Sequence, residues 1–99
     1  MAQEEGDESS LPPKDESPLV FPTDFPIKVM GENHLDFEPK VVEIVRRFAP
    51  DLDDTTLEAR QSRGGRYLSL TLTIRATSRQ QLDDIYRALT SHPLVKVVL

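Results

Sequence analysis

An α+β fold in a single domain is what this sequence of 99 residues predicts, and three observations carry the prediction. Stretches that alternate apolar and polar residues are separated by two segments whose apolar residues recur at helical spacing. A glycine pair, Gly64 and Gly65, lies between two of the alternating stretches, where a tight hairpin needs positive φ. The segments run strand, helix, strand, strand, helix, strand, which makes two β-α-β halves joined by that hairpin.

Each element has its own signal. FPIKVMG, Phe25 to Gly31, alternates Phe25, Ile27 and Val29 with Pro26, Lys28 and Met30 and predicts the first strand. A helix follows, with Asp36 as N-cap, Pro39 in the first turn and Pro50 as its stop. Val41, Ile44, Val45 and Phe48 form its apolar stripe. Thr55 to Ser62 reads as a weaker strand with Leu57 and Ala59 on one face, and RGGR turns the chain into YLSLTLTIRA. There Leu68, Leu70, Leu72, Ile74 and Ala76 share one face and Tyr67, Ser69, Thr71, Thr73 and Arg75 the other. Ser78 and Gln81 have the spacing of a capping box and open a second helix with Leu82, Ile85, Tyr86 and Leu89 as its stripe. His92 and Pro93 end it, and LVKVVL closes the chain with Val95, Val97 and Leu99 expected on the core face. Right-handed crossovers then leave a ferredoxin-like sandwich: a four-stranded antiparallel sheet with both helices on one face. The name concerns topology alone, since a chain without cysteine cannot ligate an iron-sulfur cluster.

Charge divides the chain. The formal net charge of -5 arises entirely in residues 1 to 22, where six acids face the single Lys14, while residues 23 to 99 hold 11 acids and 11 bases. The domain is therefore expected over 21–99, and residues 1–20 as a disordered acidic tail too poor in large apolar groups to offset its ordering entropy. The first residues, MAQEEGDESS, lack the basic flank and apolar segment of a secretory signal, and no apolar run reaches the roughly 20 residues of a membrane span. A cytoplasmic protein with no membrane partner is the expectation.

No catalytic motif is visible, and an enzyme is not expected. Asp53 with Asp54, and Asp83 with Asp84, are sequence neighbours that point apart, whereas general acid-base work needs two groups converging on one atom. His34 and His92 are the only imidazoles, and without cysteine neither a metal site nor a cofactor is expected. His92 reads as a favourable cation at a helix C-terminus. What remains is the sheet face that the helices leave open. By strand parity it carries Lys28, Met30, Glu58, Arg60, Tyr67, Ser69, Thr71, Thr73, Arg75, Lys96 and Val98, and Lys28, Tyr67, Ser69, Arg75 and Lys96 are the candidate partner face. RNA binding through this open face is the alternative function. Ser69 and Thr71 stand where an RNA-recognition sheet places its stacking aromatics, and the domain has no basic excess, so the sequence argues against nucleic acid.

Three segments, FPTDFPIKVMG, SRGGRYLSLTLTIRAT and VKVVL, together resemble the YbeD-like family of small uncharacterised bacterial proteins, from about Phe21 to Leu99. The resemblance implies a ferredoxin-like fold similar to ACT domains, the regulatory modules that bind amino acids. It implies no catalytic residues. By that similarity a small ligand would sit where the first strand passes into the first helix, at Gly31, Glu32, Asn33 and His34, with the glycine allowing close approach. The function so implied is a non-enzymatic regulatory or protein-interaction module with an unidentified protein partner or a small-molecule ligand. Pairing of two copies through the second or fourth strand, the two sheet edges, completes the expectations.

Overall fold

In the computed structural model, which describes residues 20–99, six elements follow in the expected order. They are β1 (Thr23–Glu32), α1 (Phe37–Phe48), β2 (Glu58–Gln61), β3 (Tyr67–Ala76), α2 (Arg79–Thr90) and β4 (Val95–Val98). The expectation of a disordered tail falls on residues outside this range. All strand pairings are antiparallel and the sheet order is β2-β3-β1-β4, so the two ten-residue strands hold the centre and the two four-residue strands the edges.

The central register explains the core. Ile27 stands opposite Leu72 and Val29 opposite Leu70, so one face of β1 and β3 is a continuous apolar surface. Onto it pack Phe37, Val41, Ile44 and Val45 of α1 and Ile85 and Leu89 of α2, all buried. Each large side chain so enclosed contributes about 1.5 to 3 kcal/mol. No polar or charged residue is buried among the described residues.

The helix ends are fixed by specific bonds. Ser78 Oγ accepts the Gln81 N–H at 3.1 Å, and Gln81 Oε1 accepts the Thr77 N–H at 2.7 Å, so the reciprocal half of the cap falls one residue before the Ser. The same amide donates from Nε2 to the carbonyl of Phe48 at 2.8 Å, tying the start of α2 to the end of α1. Asp36 occupies the N-cap of α1, but its carboxylate makes no capping bond. Its own N–H donates to His34 Nδ1 at 3.0 Å, and the Phe37 N–H donates to the His34 carbonyl. Phe37, outside the stripe read from periodicity, is fully buried because the first turn of α1 lies beneath Gly31.

Two expectations are corrected. The second strand starts at Glu58, not Thr55, because Asp54–Thr56 forms a 3-10 turn capped by Asp53, whose Oδ1 accepts both the Thr55 N–H at 3.0 Å and its hydroxyl at 2.6 Å. In β4 the register shifts between Met30 and Gly31, so Val98 pairs with Val29 and Val97 with Met30. Val98 therefore packs against the core, while Val97 and Leu99, expected inside, are 43% and 75% exposed. A period-two reading assumes an unbroken ladder, and one extra residue reverses every side chain beyond it.

Candidate functional site

The face of the sheet away from the helices is set by the same register. Across β1 and β3 it pairs Asp24 with Arg75, Lys28 with Thr71, Met30 with Ser69 and Glu32 with Tyr67, and across β3 and β2 it adds Glu58 and Arg60. Lys28, Tyr67 and Arg75 are thus together on the open side, with Leu70 and Ile85 buried on the other. β1 runs two residues earlier and one later than the alternation predicted, and those additions bring two carboxylates onto the face. Asp24 Oδ1 lies 3.2 Å from Arg75 Nη1, and Glu32 Oε2 lies 3.2 Å from Lys96 Nζ. Two of the expected cations are thereby neutralised by neighbours.

The cations without a carboxylate at ion-pair distance among the described residues are concentrated elsewhere. Lys28 and Arg60 occupy the open face, beside Ser69 and Thr71 in a polar hollow of about 230 Å³ that also holds Glu58. Arg63 and Arg66 flank the two glycines of the hairpin, whose φ values of 86° and 75° close a four-residue loop between Ser62 and Tyr67. Ser62 fixes this loop twice: its N–H donates to the Tyr67 carbonyl at 2.9 Å, and its Oγ accepts the Tyr67 N–H at 3.0 Å. The signal for Arg63 was the symmetric RGGR itself, which periodicity treats only as a turn.

A second cleft, of about 360 Å³, joins the two groups of residues the sequence proposed separately. Glu32, Asn33 and His34 form one wall, and Arg66, Tyr67 and Lys96 the other. Asn33 closes its floor: its N–H donates to the Arg66 carbonyl at 3.0 Å and its Nδ2 to the Gly65 carbonyl at 2.8 Å. His34 Nδ1 is occupied as an acceptor, so the neutral ring keeps its proton on Nε2. Gly31 does not share this cleft. It is buried on the opposite side, where a Cβ would collide with the Leu94 carbonyl and the Phe37 ring.

The remaining candidates from the sequence lie apart. Asp84 accepts from Gln80 at 2.9 Å and faces Arg87 at 3.3 Å on the surface of α2, while Asp83, about 100° around the helix, lies in a groove beside β4. His92 Nδ1 accepts the Leu94 N–H at 3.2 Å, placing the imidazole in the turn into β4. Glu43 is held below the usual carboxylate range by hydrogen bonding and charge from Lys40, then Arg47, and Asp53 is held low by its bonds from Thr55. Neither lines the hollows of the open face. Among the described residues no group of three or more His, Asp or Glu is placed to hold a metal ion, and no helix is long and apolar enough to cross a membrane.

An antiparallel β2-β3-β1-β4 sheet with two helices on one face defines an ACT-like, ferredoxin-like domain. The ACT domain from GTP pyrophosphokinase of Chlorobium tepidum has this fold, with a TM-score of 0.61 at 19% identity over 78% of this chain and 97% of that one. The chain belongs to the DUF493 family, described as proteins of unknown function, whose model matches residues 16–99. It is 58% identical to a UPF0250 protein of Paraburkholderia phytofirmans, over 85% of this chain and 94% of that protein. It is 56% identical to a UPF0250 protein of Nitrosomonas europaea, over 86% of this chain and 98% of that protein.

Proposed function

We propose that this chain is a non-enzymatic regulatory or protein-interaction module that receives an acidic surface of a partner protein on the hairpin end of its open sheet face. The observation that carries this reading is the distribution of charge. Lys40, Arg46, Arg47, Arg75, Arg87 and Lys96 are each matched by a carboxylate of the same domain. Among the described residues Lys28, Arg60, Arg63, Arg66 and Arg79 are not, and all of these except Arg79, on α2, lie on the open sheet face and the hairpin. Unmatched charge of one sign raises the encounter rate with a surface of the opposite sign and disfavours wrong partners.

A small anionic ligand in the 360 Å³ cleft is the second reading, favoured by the convergence there of the Arg66 guanidinium, the Tyr67 ring and the free Nε2 of His34. RNA is the less favoured alternative, because the face offers Tyr67 as its one aromatic side chain beside Ser69 and Thr71. Amide shifts separate the three. An acidic protein partner moves residues 28, 60 and 63–67 together; a small carboxylate or phosphate moves 32–34 and 66–67 alone. Labelled single-stranded RNA that bound tightly and with a steep salt dependence would overturn the protein-partner reading.

A further inference from the structure

The unmatched cations of the open face have charge of the opposite sign available within the same chain. Lys28, Arg60, Arg63 and Arg66 are all exposed, and the one carboxylate in the hollow beside them, Glu58, leaves an excess of three positive charges. Residues 4–8, EEGDE, hold four acids and no base, whereas Lys14, Asp15 and Glu16 sum to a single negative charge. Chain length decides which of these acids can arrive. Thr23 stands opposite Ala76 and Glu32 opposite Tyr67, so the chain enters β1 at the end of the sheet remote from the hairpin. At about 3.3 Å per residue, β1 covers about 30 Å between those two ends. Asp15 and Glu16, five and four residues before Val20, span at most about 18 Å and fall short of the hairpin. Glu8 and Glu4, 12 and 16 residues before it, span about 40 to 55 Å and reach it. The cation at the near end, Arg79, shares its groove with Asp83 and offers no comparable excess.

We propose that residues 4–8 dock on the Lys28, Arg60, Arg63 and Arg66 cluster of their own chain and cover it until an acidic partner displaces them. The regulatory half of this inference rests on the partner reading above; the contact itself rests on charge and reach alone. Tethering favours this occupant over an acid on another molecule, because an attached segment is present at an effective concentration on the order of millimolar. Residues 4–10 include no large apolar side chain, so this segment has no anchor for the apolar groove beside α2. Exposed ion pairs are individually weak and screened by salt, which makes the cover one that a larger acidic surface can replace. Weakly acidic surfaces are excluded by the same competition, and specificity follows from the difference.

A nitroxide attached through Gly6→Cys tests the contact in the full chain, where the lack of any native cysteine makes the labelled position unique. At low salt, amide broadening is expected at residues 28, 60 and 63–67, and it is expected to vanish in about 1 M salt, where charges are screened beyond about 3 Å. The triple variant Arg60→Glu, Arg63→Glu, Arg66→Glu loses it as well, with far-UV circular dichroism confirming that the variant keeps its fold. Neutralising the segment with Glu4→Gln, Glu5→Gln, Asp7→Asn and Glu8→Gln is expected to tighten binding of a labelled polyglutamate peptide at least about threefold, since the tethered competitor is gone. Broadening confined to residues 20–25 and 74–78, broadening centred on the α2 groove, or broadening that survives high salt overturns the proposal. So does broadening of an unlabelled copy mixed with a labelled one, or equal peptide affinity for the parent and neutralised chains. Failure of the partner reading is distinguishable: affinity capture then finds no acidic protein while the broadening and the peptide competition persist.

Discussion

The ring of Phe37 fills the space that a side chain at Gly31 would need, directly against the inner face of β1. The glycine at this strand-to-helix corner is required by packing inside the domain, and the polar cleft lies on the other side of the strand. Gly31→Ala is therefore expected to cost about 1 to 3 kcal/mol or more, since the added methyl meets a backbone carbonyl as well as the ring. Urea denaturation measures it; an alanine variant as stable as the parent would show that α1 does not sit where it is described.

The bulge in β4 makes a prediction that simple alternation reverses. Val98→Asp places a carboxylate beside the core and is expected to destabilise by several kcal/mol, whereas Val97→Asp, on the open side, is expected to change folding stability by less than about 1 kcal/mol. Thermal melts at a concentration where the chain is monomeric compare the two. Equal losses would remove the register shift.

Gln81 holds three backbone segments at once, and its two functions can be separated. Gln81→Glu keeps the acceptor for the Thr77 N–H and removes the donor to the Phe48 carbonyl; Gln81→Ala removes both. Losses of about 1 kcal/mol for the first and about 2 for the second are expected in chemical denaturation, by the usual worth of one hydrogen bond each. Identical losses would mean that only one of the bonds matters.

Asp53 gives the fold a small acid dependence. Because its carboxyl is held below the usual value by hydrogen bonds from Thr55, its contribution is present above the ordinary aspartate pKa, about 3.9, and is lost as pH falls through the lower folded-state value. Asp53→Asn should flatten the stability curve below about pH 4 relative to the parent. A curve of unchanged slope would show that the cap contributes no linkage.

The architecture was legible in the sequence because its central strands are long and unbroken. Ten residues of strict alternation in β3 fix which face is buried, and the Ser78 and Gln81 spacing marks the start of α2 to within one residue. The short elements were less legible. In β4 a single extra residue exchanged Val97 and Val98, and in the approach to β2 the Asp53 cap outweighed the β-branched Thr55 and Thr56. The candidate site was legible in its membership and not in its pairing. Lys28, Tyr67, Ser69 and Arg75 are on the face that parity assigned, but Asp24 and Glu32, which neutralise Arg75 and Lys96, lie at strand ends where periodicity fades. That Asn33 would bind the hairpin carbonyls 32 and 33 residues further along could not be read from local spacing at all.

The charge cluster at the hairpin is best tested by affinity capture from the native cell with three baits: the parent chain, the triple reversal Arg60→Glu, Arg63→Glu, Arg66→Glu, and Arg87→Glu on the far side of α2. The account predicts one acidic partner that the parent and Arg87→Glu retain and the triple variant loses. Recovery of the same partner by all three baits would contradict it.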